Sequence, residues 1–497
     1  MTWFWPLAAV ATAATFISAV WFAGGGRPVA PSADIAGFPA TIPVASPSDH
    51  RVIGAVGCSG ASCHGGHVAD SFPRSAWGTD SHDGDRWQSS FTVWRSYDPH
   101  ARAFATLESD RSQAIEQALS GPSMSAAKDA RCLACHATPA LANKTDDHSK
   151  SLHKDGVGCE ACHGPADRWV DAHLGWTETT DRGKAYDAHD MTKLFDTAVR
   201  AETCAGCHVG APADAHTNTP TRDVNHDLIA AGHPRLVFDD ATYVRALPPH
   251  WAEKDRSVRP AKFRPESDVA NDWRVGRAAT AVAAFALLED RATRGKSHTA
   301  PWPELAEADC YSCHHGMAPD DWRSRPPTRS PGVIRWNDPP LLTALAAKSG
   351  KPPAARAPID RLKILMGMPR PDPNAVAAHA SEAAGVWRGI AAAWSAEKPP
   401  GPDAIAECVS VANHIRWDEA CQAYYALLTI DRARRPGPLA AADSRLAALR
   451  LSLLLPRGGG DATFNSPFDR DPIRKPDPFS ELFRANPRPR PRSSVGP

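Results

Sequence analysis

A surplus charge of one sign is the first thing this sequence lacks. Its 56 Lys and Arg balance 56 Asp and Glu over 497 residues, with a sequence pI near 7.3. Nothing therefore points to nucleic acid as a partner. Methionine is scarce at 6 residues, which leaves few thioether sulfurs to ligate a metal. Alternating apolar and polar runs of any length are missing, so no sheet is expected. No motif recurs at a constant period, which removes a solenoid. Tyrosine is also sparse, 6 against 16 Trp, and 46 Pro with 34 Gly call for many turns.

What is present is a repeated cysteine device. Val157-Gly158-Cys159-Glu160-Ala161-Cys162-His163-Gly164 holds two cysteines two residues apart with a histidine after the second. The same spacing recurs at Cys132/Cys135/His136, Cys204/Cys207/His208 and Cys310/Cys313/His314. A looser version, Cys58/Cys63/His64, has four intervening residues. Ten of the 12 cysteines are used this way. Each pair matches the attachment signature of a c-type haem, with two thioether bonds to the porphyrin and the adjacent histidine as proximal iron ligand. Paired cysteines also hold zinc, but zinc has no use for a histidine directly after every second one. With 21 His in 497 residues, five such coincidences have a chance of roughly one in ten million. Five covalently attached haem c groups, each with its iron, are expected.

Covalent haem attachment belongs to the oxidising outer side of the bacterial cytoplasmic membrane. The N-terminus agrees: Trp3 to Ala23 is an uncharged apolar run, long enough to span a bilayer. No Lys or Arg precedes it, and Val20-Trp21-Phe22-Ala23 suits a signal peptidase poorly. Residues 1–24 read as an uncleaved membrane anchor, with a removed signal as the alternative. Either places the rest on the periplasmic side. Residues 25–50 are a flexible Pro/Gly/Ala/Ser linker.

Residues 51–325 form the expected pentahaem cytochrome domain. So little chain per haem cannot build a good core alone, so the haems are expected to be the core with the chain wrapped around them. Short helices are expected, among them Asp110–Ala118 and a longer one over Asn271–Arg294. Residues 326–456 change character to a helical bundle, with helices at 374–397, 402–414, 418–435 and 439–455. The fold class is mainly α with much irregular structure. Cys408 and Cys421, on consecutive expected helices, are open to a disulfide or to two buried thiols. Residues 457–497 are a Pro/Arg-rich tail expected to be disordered.

A sixth iron ligand is His or Met in electron-transfer haems. With Met scarce and His abundant, bis-histidine ligation and low potentials are the default. The first candidates are His100, His173, His226, His233 and His315. His67, His82, His153, His189 and His250 come second, and His379 and His414 read as ordinary. Arg102, Arg168 and Arg235 are either partners for haem propionates or solvated surface charge.

Gly156–Pro165 with Trp169 and His173, followed by Ala201–Gly210, resembles the cytochrome c-554 family over roughly residues 55–325. The resemblance implies a periplasmic electron carrier; the best-known member of the family accepts electrons from hydroxylamine oxidoreductase. A fifth attachment site and the added helical stretch depart from the family's tetrahaem pattern, so that partner does not carry over. Expected partners are periplasmic redox proteins, the membrane through the N-terminal helix, and in one reading a larger respiratory complex. The carrier reading is preferred to a redox enzyme acting on a small nitrogen or sulfur compound at one open haem, because no motif marks a catalytic residue.

Overall fold

The computed structural model describes residues 51–68, 86–177, 179–248, 250, 269–313, 334–350, 352–397, 401–410 and 417–434, with positions 446, 450 and 453. The expected anchor, the linker, nearly all of the 439–455 helix and the tail lie outside them. The described chain is mainly helical with irregular connections. Its only β pairing among the described residues is three isolated bridges, Ala211 with Arg222, Asp214 with Thr219 and Ala308 with Trp336. No described helix is long and apolar enough to cross a membrane.

The N-terminal half is built from short helices: α1 (Ser90–Tyr97), α2 (Asp110–Ser120), α3 (Ala130–His136), α4 (Cys159–His163), α5 (Thr197–His208) and α6 (Asp240–Ala246). Their starts are set locally. Side-chain oxygens of Ser109, Asp129, Asp196 and Asp239 accept the first free N–H groups of α2, α3, α5 and α6, which satisfies donors that no helical carbonyl can reach. α2 ends where Gly121 adopts φ 97°. Apolar clusters are small here, one around Phe104, Leu107 and Leu133, another around Ala55, Trp94 and Ala101.

The C-terminal half has long helices and one large core. These are α7 (Val269–Lys296), α8 (Leu342–Ala347), α9 (Pro352–Met366), α10 (Pro373–Ala396), α11 (Pro402–Ser410) and α12 (Trp417–Arg434). α7 lies lengthwise against α10 and also packs on α5. Trp273, Phe285, Leu288, Leu362, Trp387 and Trp394 fill one buried cluster with Ala198 of α5. Each such side chain contributes about 1.5–3 kcal/mol of burial. α7 and the helices after residue 326 thus share one core. Gly295 is not the end of α7: a Cβ there would stand 2.5 Å from Trp302 Cβ, so it marks a close approach. α9 was not among the expected helices: Pro352 and Pro353 open it and Pro358 sits buried inside it. Cys408 and Cys421 are buried free thiols.

Candidate functional site

The described histidine triplets end helices. Cys132–His136 closes α3, Cys159–His163 is the whole of α4, and Cys204–His208 closes α5. At positions i, i+3 and i+4 the two thiols and the imidazole share one side of a helical turn, which is what a single porphyrin face requires. Cys58 ends a short 3-10 turn and Cys63 and His64 follow in a turn. Cys310 opens another 3-10 turn and Cys313 follows it. His314 and His315 lie outside the described residues.

Four of these sites lie near one another. The Cys58 thiol bonds to Cys159, and the Cys135 thiol to Cys207. Cys162 and Cys204 feel each other's charge, as do Cys162 and Cys207. The order in space is therefore first motif, third, fourth, second. The Cys135 bond lowers Cys207 to about 6 against the opposing effect of burial, and Arg222, whose Nη1 lies 3.7 Å from the sulfur, helps. Burial pushes Cys162 up to about 12.

Histidines from distant segments meet across these motifs. The rings of His64 and His173 have centroids 6.3 Å apart and planes 12° from parallel. Those of His100 and His208 are 6.1 Å apart with planes at 75°. Two imidazoles on opposite sides of one iron, each bonded at about 2.0 Å with a ring centre about 1.1 Å beyond the nitrogen, would stand about 6.2 Å apart. Both pairs fit that separation. His233 and His136 lie close enough for charge on one to oppose charge on the other.

Three of these imidazoles, His136, His208 and His233, are held neutral by burial, as metal binding requires. Burial drives His208 down to about 3 and His233 to about 4, and also lowers His136. Each ring is aimed by its other nitrogen. His136 Nδ1 is 3.0 Å from the Ala103 carbonyl, His233 Nδ1 is 2.8 Å from that of Pro234, and His64 Nδ1 is 2.9 Å from Ser90 Oγ. His173 Nδ1 bonds the Val170 carbonyl. His100 is aimed by a carboxylate: Asp98 Oδ1 accepts from both the backbone N–H and Nδ1 of His100, each at 2.9 Å. Burial alone would lower His100, but Asp98 raises it. Such partners fix the tautomer and make the ligating nitrogen more basic.

Sequence reasoning missed Asp98, although a carboxylate two residues before a candidate ligand was a readable sign. It also missed Glu160, inside the third motif. Glu160 is buried and accepts from the N–H groups of Ile53 (3.1 Å), Gly54 (2.8 Å) and Ala166 (2.6 Å), while Asp155 accepts from Ala55 (3.0 Å). The segment leading to Cys58 hangs on the third motif. On its other side Val157 N–H donates to the His100 carbonyl at 3.0 Å.

The remaining candidates divide. His226 starts a short helix with its N–H on Glu304 Oε1 (2.9 Å), on the stretch leading to Cys310. His250 is half-buried, within range of His64 and His100. His153 Nε2 bonds the Leu141 carbonyl at 2.9 Å in the interior, His189 packs near Trp176, His379 pairs with Glu382, and His67 is exposed. His82 and His414 lie outside the described residues. Arg168 pairs with Asp190, and Arg235 forms a half-buried pair with Asp418 at 2.9 Å. Among the described residues no group of three or more His, Cys, Asp or Glu could hold a metal by itself. A haem iron asks the chain for only two.

Residues 82–164 match the family model described as cytochrome c554 and c-prime. The chain thus resembles that family of c-type cytochromes over a segment that includes the second and third motifs, and such cytochromes carry covalently bound haem c. No curated protein and no solved structure matches the chain.

Proposed function

We propose that this protein is a periplasmic, membrane-anchored cytochrome that passes single electrons through five closely spaced haem c groups between redox partners. The observation that carries it is the paired histidines: each attachment motif of the His64/His173 and His100/His208 pairs has a second imidazole at the spacing of a trans ligand. Haem c supplies a one-electron couple whose potential its axial ligands, burial and hydrogen bonds set. The residues do the rest. His173 is assigned to the Cys58/Cys63/His64 site, His100 to Cys204/Cys207/His208 and His233 to Cys132/Cys135/His136. His226 is assigned to Cys310/Cys313/His314, beside the segment its backbone already binds.

The approach of Cys58 to Cys159 and of Cys207 to Cys135, with Cys162 in electrostatic range of Cys207, supports a continuous file of sites rather than isolated ones. The small apolar clusters around these motifs support haem as the missing core material. Haem content from the pyridine adduct, with mass spectrometry of the haem-bearing peptides, tests the reading. Five haems per chain, one on each motif, are expected; motifs recovered with free thiols would overturn the count.

A further inference from the structure

Beyond carrying electrons, the fourth site has a feature that carriers do not need. The residue stacked on His208 leads straight into a buried cluster of charge. Phe238 stacks on His208 with centroids 5.4 Å apart, and the Tyr243 ring meets it edge-on at 5.2 Å. The next residue after Phe238 is Asp239, at the start of α6, with no exposed surface.

Asp239 is only half satisfied. Oδ1 accepts from Thr242 N–H at 2.9 Å. Oδ2 is buried with no hydrogen-bond donor; it pairs with Arg277 Nε only at 3.8 Å, and that nitrogen likewise lacks a hydrogen-bond partner. Arg277 spends its bonds elsewhere, Nη2 donating to the Phe238 carbonyl at 2.6 Å and to Thr280 Oγ1 at 3.0 Å. A buried carboxylate oxygen without a donor is costly as an ion and more readily protonated.

The groups facing it come from four helices. α6 adds Asp240, Tyr243 and Arg245, α7 adds Asp272 and Arg277, α5 adds Arg200, and Tyr425 of α12 packs on Tyr243. Arg200 bridges Asp240 (2.8 Å) and Asp272 (3.2 Å), and Arg245 holds Asp272 at 2.8 Å. With every group ionised, the carboxylates of Asp239, Asp240 and Asp272 are matched by Arg200, Arg245 and Arg277. The set is neutral, with nothing in reserve to absorb one more negative charge nearby.

We infer that Asp239 is a redox-linked proton site: it takes up one proton when the iron held by His208 takes up one electron. This rests on the haem assignment at Cys204–His208. The balance is simple. One electron enters from the donor and reduces ferric to ferrous iron; one proton enters from solvent and converts the Asp239 carboxylate to the neutral acid; no other bond forms or breaks. Burial already raises Asp239 and Asp240, so the added electron has only to complete a shift that the fold has begun. The protein then moves protons with electrons at one site, and its driving force depends on pH.

Asn is the right probe, because it keeps the shape and the cap on Thr242 while removing the titrating group. Potentiometric titration of the full haem-loaded chain between pH 5 and 9 is expected to show one haem whose midpoint falls by up to a factor of ten in equilibrium constant per pH unit, about 59 mV. Asp239→Asn is expected to abolish that slope with haem content unchanged. Arg277→Gln removes the cation paired with Asp239, favours its protonated form and is expected to move the sloping window to higher pH. A slope that survives Asp239→Asn overturns the inference. A Cys204/Cys207 peptide without haem would instead overturn the assignment beneath it, and mass spectrometry separates the two failures.

Discussion

Replacing Asp98 by Asn isolates the electrostatic control of one iron. Asp98 is 2% exposed, and its Oδ1 accepts both His100 N–H bonds at 2.9 Å. Asn is nearly isosteric and keeps an acceptor oxygen, so His100 stays in place. What disappears is the negative charge on Nδ1–H, which makes Nε2 a stronger donor and favours the ferric state. Loss of such a partner typically costs 10–100-fold in ligand affinity. At about 59 mV per tenfold for a one-electron couple, one midpoint should rise by roughly 60–120 mV. Spectroelectrochemical titration of wild type and variant reads this directly, with the other haems as internal controls. Unchanged midpoints at wild-type haem content would refute the argument that Asp98 tunes the iron through His100.

Other outcomes follow from the same geometry. His173→Ala should open the iron at the Cys58/Cys63 site, and the reduced protein should gain a carbon monoxide response confined to one haem. Gly156→Ala should destabilise the chain by about 1–3 kcal/mol, since Gly156 has φ 70° and a Cβ would stand 2.5 Å from the His100 carbonyl; urea unfolding measures it, and a change within error would contradict it. Burial would raise the Asp272 carboxyl, but Arg200 and Arg245 hold it down at about 2. A depressed carboxyl stabilises above its unfolded value and loses that contribution as pH falls, here about 2–3 kcal/mol between roughly pH 4 and 2. Asp240 in the same cluster is raised by burial and offsets part of it, so Asp272→Asn should be less stable at pH 7 and show a shallower acid limb. Haem-free chain, made without attachment machinery, should be cut by protease between residues 51 and 250 while the α7–α10 core resists.

Local chemistry was readable and long-range pairing was not. Cysteines at i and i+3 with a histidine at i+4 are a helical-turn pattern, and α3, α4 and α5 are those turns. The start of α10 at Asp372-Pro373 and the stop of α2 at Gly121 follow from capping rules that act within a few residues. That His100 faces His208 depends instead on the Val157–His100 backbone bond and on Gly156, a contact between segments that no local rule relates. The hanging of Ile53–Ala55 on Glu160 and Asp155 is of the same kind. α9 was hidden because prolines that break an isolated helix are tolerated where packing buries them, as Pro358 shows.

The central claim, that paired imidazoles close these irons, is tested most directly by low-temperature electron paramagnetic resonance of the fully oxidised protein. Imidazole planes near parallel and near perpendicular give different low-spin ferric signals. The planes at 12° for His64/His173 and 75° for His100/His208 predict a rhombic species together with a highly anisotropic one. A spectrum dominated by high-spin iron, or lacking the anisotropic low-spin species, would contradict the assignment.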